Sequence, residues 1–510
     1  MYSKTHKKDK KDKKTTKVVK GITLHTKQHT KQHTKQQSTL YNYINTIRMA
    51  RTKHTKNKSF KTSIHKTDNN FKSKHIDNKL SHNYINTLIH LFYDNDIVST
   101  RYLQNAHKKT NIFPSQDRIV VIGDIHGDFD AAIKCFILAK CIEPIEPPIN
   151  KTVENMDSFF NKLKWIGDDT YIVQLGDQID RVRPQRWDKN DISKDEAFED
   201  EGSTLEIFYL FFYLDILARE SNGRVFSILG NHEIMNINGD FRYVSQKEFK
   251  SFKTHLGNTY HYSSKFPYHS KTLKNNRHKL HEHFAEHDTM GNESNVTLSH
   301  KNKHFISTKG FKERLFAFAP TGLCANMMAL NNYTMLQIGN WLFCHGSPTL
   351  TTLNTYTIDL INSVVSLYLL GIDSHKKVIE EHYDMITDSK NDSILWNRDF
   401  GESGESSETG ETGESGKPGV DSKLCNRLDT ILNSYNKNNS NTNKINKATH
   451  IALGHTPQFN DAIGINAICN NRAWRCDVGM SKAFGDSTND NNRKPQVLEI
   501  LNGNITNVLS

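Results

Sequence analysis

The chain has 510 residues, of which 35% are hydrophobic and 24% charged, a balance that suits a soluble globular core rather than a membrane-embedded protein. Its seven cysteines are scattered and form no CxxC pair, which argues against a disulfide framework or zinc knuckle and for a reducing compartment. The net charge of +11 is uneven, because residues 1–80 hold 22 Lys or Arg against 4 Asp. These residues carry +18 and the remainder carries −7, so a basic arm is attached to a mildly acidic body.

The basic arm, residues 1–80, is predicted to be disordered and of low complexity. A polar four-residue repeat begins at His25, His29 and His33 and offers nothing to bury in a core. The lysine runs suit nucleic-acid backbones electrostatically, so one interpretation is weak nucleic-acid contact and the other is a solvated tail. Because no apolar stretch follows the lysines, we expect an intracellular protein, cytoplasmic or nuclear, that is not secreted.

A helical lead-in is predicted over residues 81–115, because apolar side chains between Asn83 and His107 follow helical spacing. Five apolar runs of β type come next, and each delivers a polar residue at or just past its carboxyl end. The runs are Arg118–Ile122, Tyr171–Leu175, Arg224–Leu229, Trp341–Cys344 and His450–Leu453. Helical patterns over Phe129–Lys140 and Thr204–Glu220 lie between them. The alternation predicts an α/β fold whose ligands bind beyond the carboxyl ends of the strands.

Three polar stretches interrupt this plan, at about 183–202, 250–312 and 401–420. The last contains a repeat of Gly, Ser and Glu that predicts a flexible loop. Because motifs continue on both sides, all three are interpreted as insertions into one catalytic domain over residues 116–510. The longest apolar runs, Leu205–Leu217 and Leu360–Leu370, are too short to span a bilayer, so no membrane partner is expected.

Six polar residues that follow the predicted strands form a set suited to two divalent metal ions. They are Asp124, His126, Asp177, Asn231, His345 and His455. Two cations about 3.5–4 Å apart need oxygen and imidazole ligands with one carboxylate shared between them, and Asp177 is the natural bridge. Asp124 and His126 reach one ion, whereas the two later histidines complete the other with the Asn231 carbonyl oxygen. Water between such ions becomes hydroxide near neutral pH, which supplies the nucleophile.

The neighbours of these ligands supply the remaining chemistry. His232 directly follows Asn231 and is predicted to be the general acid that protonates the leaving oxygen. Asp180 is placed to hold that imidazole and to fix its tautomer. The planar guanidinium of Arg181 is predicted to bind two phosphate oxygens. A metal pair, an acid and an anion clamp together indicate hydrolysis of a phosphate ester.

Three of these segments resemble the signatures of phosphoprotein phosphatases, which belong to the calcineurin-like metallophosphoesterase superfamily. Gly123–Gly127 is similar to GDxHG, Gly176–Arg181 to GDxxDR, and Gly230–Glu233 to GNHE. The later histidines, His345 and His455, also match the family. The resemblance implies a four-layer αββα sandwich that binds manganese, with iron or zinc as alternatives.

Three further segments, Met235–Val244, Trp396–Asp399 and Arg475–Ser481, resemble the Shewanella-like phosphatase branch. By analogy with the family, Arg398 is expected to be a second phosphate contact beside Arg181. Asn231 is expected to contact the substrate phosphate as well as a metal ion.

The leading interpretation is a metal-dependent phosphatase that acts on phosphorylated proteins, at serine, threonine or tyrosine. One alternative is a nucleotide phosphohydrolase of the bis-nucleoside polyphosphate type, although Asp180 and Glu233 favour the protein phosphatases. The other is a catalytically degenerate protein that binds nucleic acid through the basic arm. The sequence leaves open the phosphoresidue, the oligomeric state and the roles of the insertions.

Overall fold

The computed structural model describes residues 83–93, 110–183, 199–257, 308–371, 376–389, 392–402, 418–440, 446–458, 464–485 and 493–510. All of them lie within the compact unit Thr62–Ser510. The predicted basic arm falls outside the described residues, as does most of each predicted insertion. No helix in the described ranges is both long enough and apolar enough to cross a membrane.

The secondary structure alternates between helices and short strands. The described helices are α1 Tyr84–Tyr93, α2 Phe129–Leu138, α3 Val153–Phe160, α4 Thr204–Arg219, α5 Asn231–Ile237, α6 Gln246–Leu256, α7 Phe311–Phe318, α8 Leu323–Asn331, α9 Leu350–Thr355, α10 Ile358–Leu369, α11 Lys376–Thr387 and α12 Pro418–Asn438. The described strands are β1 Ile112–Phe113, β2 Arg118–Ile122, β3 Tyr171–Gln174, β4 Arg224–Ile228, β5 Asn332–Tyr333, β6 Met335–Ile338, β7 Trp341–Cys344, β8 His450–Leu453, β9 Asn466–Ile468, β10 Ala473–Arg475, β11 Val497–Leu501 and β12 Ile505–Leu509.

Two six-stranded sheets form the centre of the fold. One has the order β12-β11-β2-β3-β4-β5, and the other has the order β1-β6-β7-β8-β10-β9. In the first sheet β2, β3 and β4 are parallel, with Val120 opposite Ile172 and Ile172 opposite Val225. In the second sheet β7, β8 and β10 are parallel. All five predicted strands are confirmed, but they are divided between the two sheets.

The strands form where apolar residues follow one another without a polar break, as in β2, where Ile119–Ile122 is fully buried. Such a run suits a parallel strand covered on both faces. Helices supply the cover: α4 packs against β4, α8 against β5, and α10 against β6. The predicted α/β sandwich is therefore confirmed.

The second predicted insertion is shorter than its 250–312 range. Lys250–Leu256 completes α6, whose apolar positions Phe249, Phe252 and Leu256 are buried. The lysines between these positions make the segment polar in composition, which obscures the helical spacing of its apolar residues. Helix α7 begins at Phe311, so the same range also contains the start of a second helix.

One pair of cysteines departs from the expectation of reduced thiols. Cys425 on α12 and Cys469 in the turn after β9 form a disulfide bond with a Cα–Cα distance of 5.2 Å. The other five cysteines are free and buried. The expectation is wrong for this pair because pairing depends on spatial proximity, and 44 positions separate the two residues.

Candidate metal centre

The six predicted metal ligands meet where the carboxyl ends of the two sheets converge. Asp124, His126, Asp177 and Asn231 follow strands of the first sheet, whereas His345 and His455 follow β7 and β8 of the second. Their relative exposure is between 0% and 4%, so the cluster is withdrawn from water. Electrostatic interactions among these groups are strong in such surroundings.

Several residues of the site have a left-handed backbone, which side chains other than glycine rarely adopt. They are His126 (φ 46°), Asp177 (φ 52°), Asp180 (φ 75°) and His455 (φ 69°). Each such residue costs about 1–3 kcal/mol and persists only where its surroundings hold it. The concentration of this conformation at one place is typical of a functional site.

Glu233 holds the turn that presents Asp177. Its carboxylate accepts hydrogen bonds from the backbone N–H groups of Asp177 (3.0 Å), Gln178 (2.9 Å) and Gly230 (2.7 Å). Burial and the nearby Asp177 charge raise the pKa of Glu233 to about 7. Glycine is required at position 230, because a Cβ atom there would lie 2.1 Å from Asp177 Oδ1.

Glu248 on α6 holds the next part of the same loop. Its carboxylate accepts hydrogen bonds from the backbone N–H groups of Asp180 and Arg181, both at 3.2 Å. The Thr204 hydroxyl donates to the same carboxylate at 2.9 Å. Glu248 lies 67 positions from Arg181 and outside the family signatures, and its capping box with Ser245 predicts only the start of a helix, so this role is not visible in the sequence.

Asp177 is shared by two groups of potential metal ligands. In the first group it lies with His126 and His232, and in the second with His345 and His455. The ligand atoms within each group all lie within 4.8 Å of one another. Asp177 Oδ2 is 3.9 Å from His126 Nε2 and 3.3 Å from His345 Nε2. This is the position that a bridging carboxylate needs.

Asp124 and Asn231 flank the two groups. Asp124 Oδ2 lies 3.9 Å from His126 Nε2, and Asn231 Oδ1 lies 2.8 Å from His345 Nε2. The backbone N–H of His455 holds the Asp124 carboxylate, at 3.0 Å from Oδ2. The structure therefore brings all six predicted ligands together.

Backbone carbonyl groups orient three of the histidines. Ile179 O lies 3.3 Å from His126 Nδ1, Leu175 O lies 2.8 Å from His345 Nδ1, and Trp396 O lies 3.0 Å from His455 Nε2. A carbonyl oxygen accepts the proton of the ring nitrogen that it contacts, which leaves the other nitrogen able to bind a metal ion. These contacts favour the tautomers in which His126 and His345 present Nε2, and His455 presents Nδ1, to a metal ion.

The electrostatics of the cluster fit divalent cations. Burial and the charges of Asp477 and Asp177 raise the pKa of Asp124 well above its usual value. Burial also raises the pKa of Asp477 to about 6, and its Oδ2 atom has no hydrogen-bond partner among the described residues. A cation relieves this crowding of buried carboxylates. Carboxylate, imidazole and amide donors together suit manganese, iron or zinc.

His232 is placed as predicted beside the ligands. Its Nδ1 atom lies 2.8 Å from Asp180 Oδ2, and its Nε2 atom lies 3.8 Å from Asp177 Oδ2. Asn236 Nδ2 donates to both oxygens of Asp180, and Arg314 Nη2 donates to Oδ1 at 3.2 Å. Arg314 is fully buried on α7, and its role could not be predicted because no motif surrounds it.

The structure does not bring Arg181 to this cluster. Its side chain is fully buried, with Nη1 3.3 Å from Asp128 Oδ2 and Nη2 3.8 Å from Glu201 Oε1. The guanidinium also donates to the carbonyl oxygen of Glu199 at 3.1 Å. That this residue clamps phosphate stays a prediction, and in this structure its guanidinium contacts Asp128 and Glu201.

Arg398 lies beside the second ligand group. Its Nη1 atom donates to the carbonyl oxygen of His455 at 2.9 Å. Burial lowers the pKa of His455 well below its usual value, and the charges of His345 and Arg398 lower it further. The Arg398 charge therefore acts on a residue of the site, as we expect of a side chain that contacts phosphate.

Comparisons with known proteins point to one family. Residues 117–459 match the family model described as calcineurin-like phosphoesterase, and this range contains all six candidate ligands. The chain is 26% identical over 420 residues to Shewanella-like protein phosphatase 2 of Arabidopsis thaliana, covering 82% of this chain and 84% of that protein. It is 24% identical over 393 residues to Shewanella-like protein phosphatase 1 of Plasmodium berghei (strain Anka), covering 76% and 74%. The crystal structure of a cold-active protein tyrosine phosphatase from a psychrophilic Shewanella species is 18% identical, with a TM-score of 0.43 and coverage of 79% and 82%.

Proposed function

The chain belongs to the calcineurin-like phosphoesterase family and is a phosphoester hydrolase, and from this premise we propose that it is a dinuclear-metal-dependent protein phosphatase. The observation that carries the proposal is the position of Asp177 between two groups of ligands. Manganese is the proposed metal, and iron and zinc are the alternatives to be tested. Two such ions, when bound, supply positive charge for the phosphate and activate water for attack near neutral pH.

The protein's own residues divide the remaining work. Asp177 joins the two halves of the centre, and its Oδ1 atom accepts a hydrogen bond from the backbone N–H of His232 at 2.9 Å. His232 Nε2 faces the centre and protonates the leaving oxygen, while Asp180 retains the proton on Nδ1. Asn231 and Arg398 contact the phosphate group. The cluster is buried, which strengthens each of these interactions.

A phosphorylated protein is the proposed substrate. Two relatives that align over most of their length are named protein phosphatases, which supports this class over nucleotides. Glu233 and Asp180 also support it. Glu233 holds the turn that presents Asp177, and Asp180 contacts the proposed acid, His232. The choice among phosphotyrosine, phosphoserine and phosphothreonine is left to experiment.

The first test is hydrolysis of p-nitrophenyl phosphate by the full chain, with and without manganese, for wild type, Asp124→Asn and Asp177→Asn. Metal content is measured on the same samples. We expect manganese-dependent turnover and two metal ions per chain in the wild type, with activity abolished and metal lost in Asp177→Asn. Asp117→Asn is the matched control, since this residue is exposed and lies just before β2. Absence of turnover with manganese, iron and zinc would contradict the proposal.

The substrate class is tested by comparing kcat/KM for phosphopeptides and for a bis-nucleoside polyphosphate. A higher value for a phosphopeptide supports a protein phosphatase, and a higher value for the dinucleotide supports the nucleotide alternative. Matched peptides that carry phosphotyrosine, phosphoserine or phosphothreonine in one sequence assign the phosphoresidue.

A further inference from the structure

Arg183 lies at the edge of the metal centre between two aromatic rings. Its guanidinium carbon is 4.8 Å from the centre of the Phe484 ring and 5.2 Å from that of the Tyr243 ring. The same rings contact two histidines of the site. Phe484 is 5.6 Å from the His126 ring, and Tyr243 is 4.5 Å from the His232 ring, centre to centre. The guanidinium is therefore one ring away from both histidines.

The hydrogen bonds of Arg183 leave most of its donors available. Its Nη1 atom donates to the carbonyl oxygens of Asp180 (3.1 Å) and Val182 (2.8 Å). No carboxylate in the described part of the chain forms an ion pair with this partly buried guanidinium. A guanidinium carries five N–H donors, so the remaining ones can meet a ligand. A guanidinium that is held in place with free donors is suited to bind an anion.

The charge of Arg183 acts directly on the site. The Phe484 ring lies between the Arg183 guanidinium and the His126 ring. Asp177 and Asp477 in turn act on the Arg183 charge, which places it in the field of the metal-binding carboxylates. By contrast, the Arg181 charge acts on Glu201, away from the centre.

We propose that Arg183 binds the phosphate group of the substrate from the side of His126 and His232, while Arg398 binds it from the side of His455. The inference rests on the proposed phosphatase function and names a residue for the anion contact. A planar fork matches two phosphate oxygens, which a lysine cannot reproduce.

The surroundings of Arg183 prepare it for this contact. The two rings restrict the orientation of the guanidinium, so less conformational entropy is lost when phosphate binds. The backbone N–H of Val182 donates to the carbonyl oxygen of Tyr243 at 2.8 Å, which ties the arginine loop to the segment that carries one ring. The loop, the ring and the guanidinium are thus held together before any substrate arrives.

The test compares wild type with Arg183→Met and Arg183→Lys. Binding of inorganic phosphate to the manganese-loaded full chain is measured by calorimetry, together with KM and kcat for p-nitrophenyl phosphate and the Tm. We expect Arg183→Met to weaken phosphate binding and raise KM by about 10- to 100-fold, the range for hydrogen bonds to a charged group. Arg183→Lys should be intermediate, and the Tm should stay near that of the wild type. Arg472→Met, which removes a surface partner of Asp429, is the control and should leave all four quantities unchanged.

Unchanged phosphate binding would overturn the inference. If Arg183→Met binds phosphate as tightly as the wild type but has a lower Tm, Arg183 is a structural staple between the two rings, and the inference is overturned. If this variant does not fold, the Arg183→Lys variant tests the inference, because it retains the charge but loses the planar fork. Weakened phosphate binding by Arg183→Lys supports the inference, and unchanged binding overturns it. A wild type that hydrolyses nothing contradicts the proposed function itself, whereas an active wild type with a normal Arg183→Met variant contradicts this inference alone.

Discussion

The Nδ1 atom of His232 lies 2.8 Å from Oδ2 of Asp180, and both groups are buried. Because a carboxylate only accepts hydrogen bonds, the Nδ1 atom carries the proton in this contact. The Nε2 atom then faces Asp177, the candidate bridging carboxylate, whose Oδ2 atom is 3.8 Å away. The pair has the geometry of a general acid whose ring is oriented by a carboxylate partner.

Loss of the acid should depend on the leaving group. We expect His232→Ala to reduce kcat by about 10²–10⁴-fold with phenyl phosphate, the usual range for a positioned acid. The loss should be much smaller with p-nitrophenyl phosphate, because p-nitrophenolate leaves without strong need of a proton. Asp180→Asn should show the same substrate dependence in weaker form, since it leaves the imidazole in place but disturbs its tautomer. Steady-state kinetics of the three proteins with both substrates check this. Equal losses with the two esters would exclude the acid role.

Arg314 should be essential to stability rather than to chemistry. It is fully buried, donates to Asp180 and to Asn236 Oδ1, and packs against the ring of Phe318. Removing it leaves the Asp180 carboxylate buried without its cation, which costs about 3–5 kcal/mol. We therefore expect Arg314→Met to lose that much free energy of unfolding in urea.

Arg472→Met is the matched control for this measurement. Its partner Asp429 is half exposed, and a surface pair of this kind contributes about 0–1 kcal/mol. If Arg314→Met unfolds with the same free energy as the control variant, the buried network around Asp180 does not stabilise the fold.

The sequence predicts that the six candidate ligands meet, because each one lies in a contiguous signature that directly follows an apolar strand. It does not predict how the strands pair. The periodicity of a segment indicates whether its residues are buried. The division of β2 and β7 between two sheets depends instead on contacts between residues that are far apart in the chain. Glu248 and Arg314 were missed for the same reason, since they reach Asp180 across 68 and 134 positions.

Arg181 and Arg183, which lie in one loop, show a second limit of prediction from the sequence. Arg181 has the position in the sequence that the family resemblance assigns to phosphate, whereas Arg183 was assigned to an insertion. Glu248 holds the backbone N–H of Arg181, and Asp180 before it has a left-handed backbone. The Arg181 guanidinium contacts Asp128 and Glu201, whereas that of Arg183 lies between the rings of Tyr243 and Phe484. These contacts depend on the fold, so the sequence pattern does not show them.

The ion pair between Asp215 and Arg224 should make stability depend on pH. Asp215 on α4 accepts hydrogen bonds from Arg224 Nε and from the backbone N–H of Val225, both at 2.9 Å, which ties the helix to β4. Although burial opposes it, the charges of Arg224 and Arg219 hold the pKa of Asp215 below its usual value. A depressed pKa contributes stability that is fully present above the unfolded pKa of about 3.9 and is lost as the pH falls through the folded pKa.

We therefore expect Asp215→Asn to be less stable than wild type by about 1–3 kcal/mol at pH 7, the range for hydrogen bonds to a charged group. The difference should shrink below about pH 4, where the wild-type carboxyl group becomes protonated. Urea unfolding of both proteins across this range measures it. The carboxylates of the candidate metal centre are the same in both proteins, so their effect on the comparison cancels. A difference that stays constant with pH would show that the ionised form of Asp215 is not stabilised by the fold.

The disulfide bond between Cys425 and Cys469 should stabilise the folded protein. The bond joins α12 to the turn before β10 and closes a separation of 44 residues. Closure of a loop of this length stabilises a protein by about 2–4 kcal/mol, mainly by restricting the unfolded chain. We expect a reducing agent to lower the free energy of unfolding of the wild type by this amount and to leave the double variant Cys425→Ser/Cys469→Ser unchanged. Alkylation in denaturant provides the independent measurement, because five of the seven cysteines are free. Five thiols should react before reduction and all seven afterwards, whereas reaction of all seven without a reductant would show that the bond does not form.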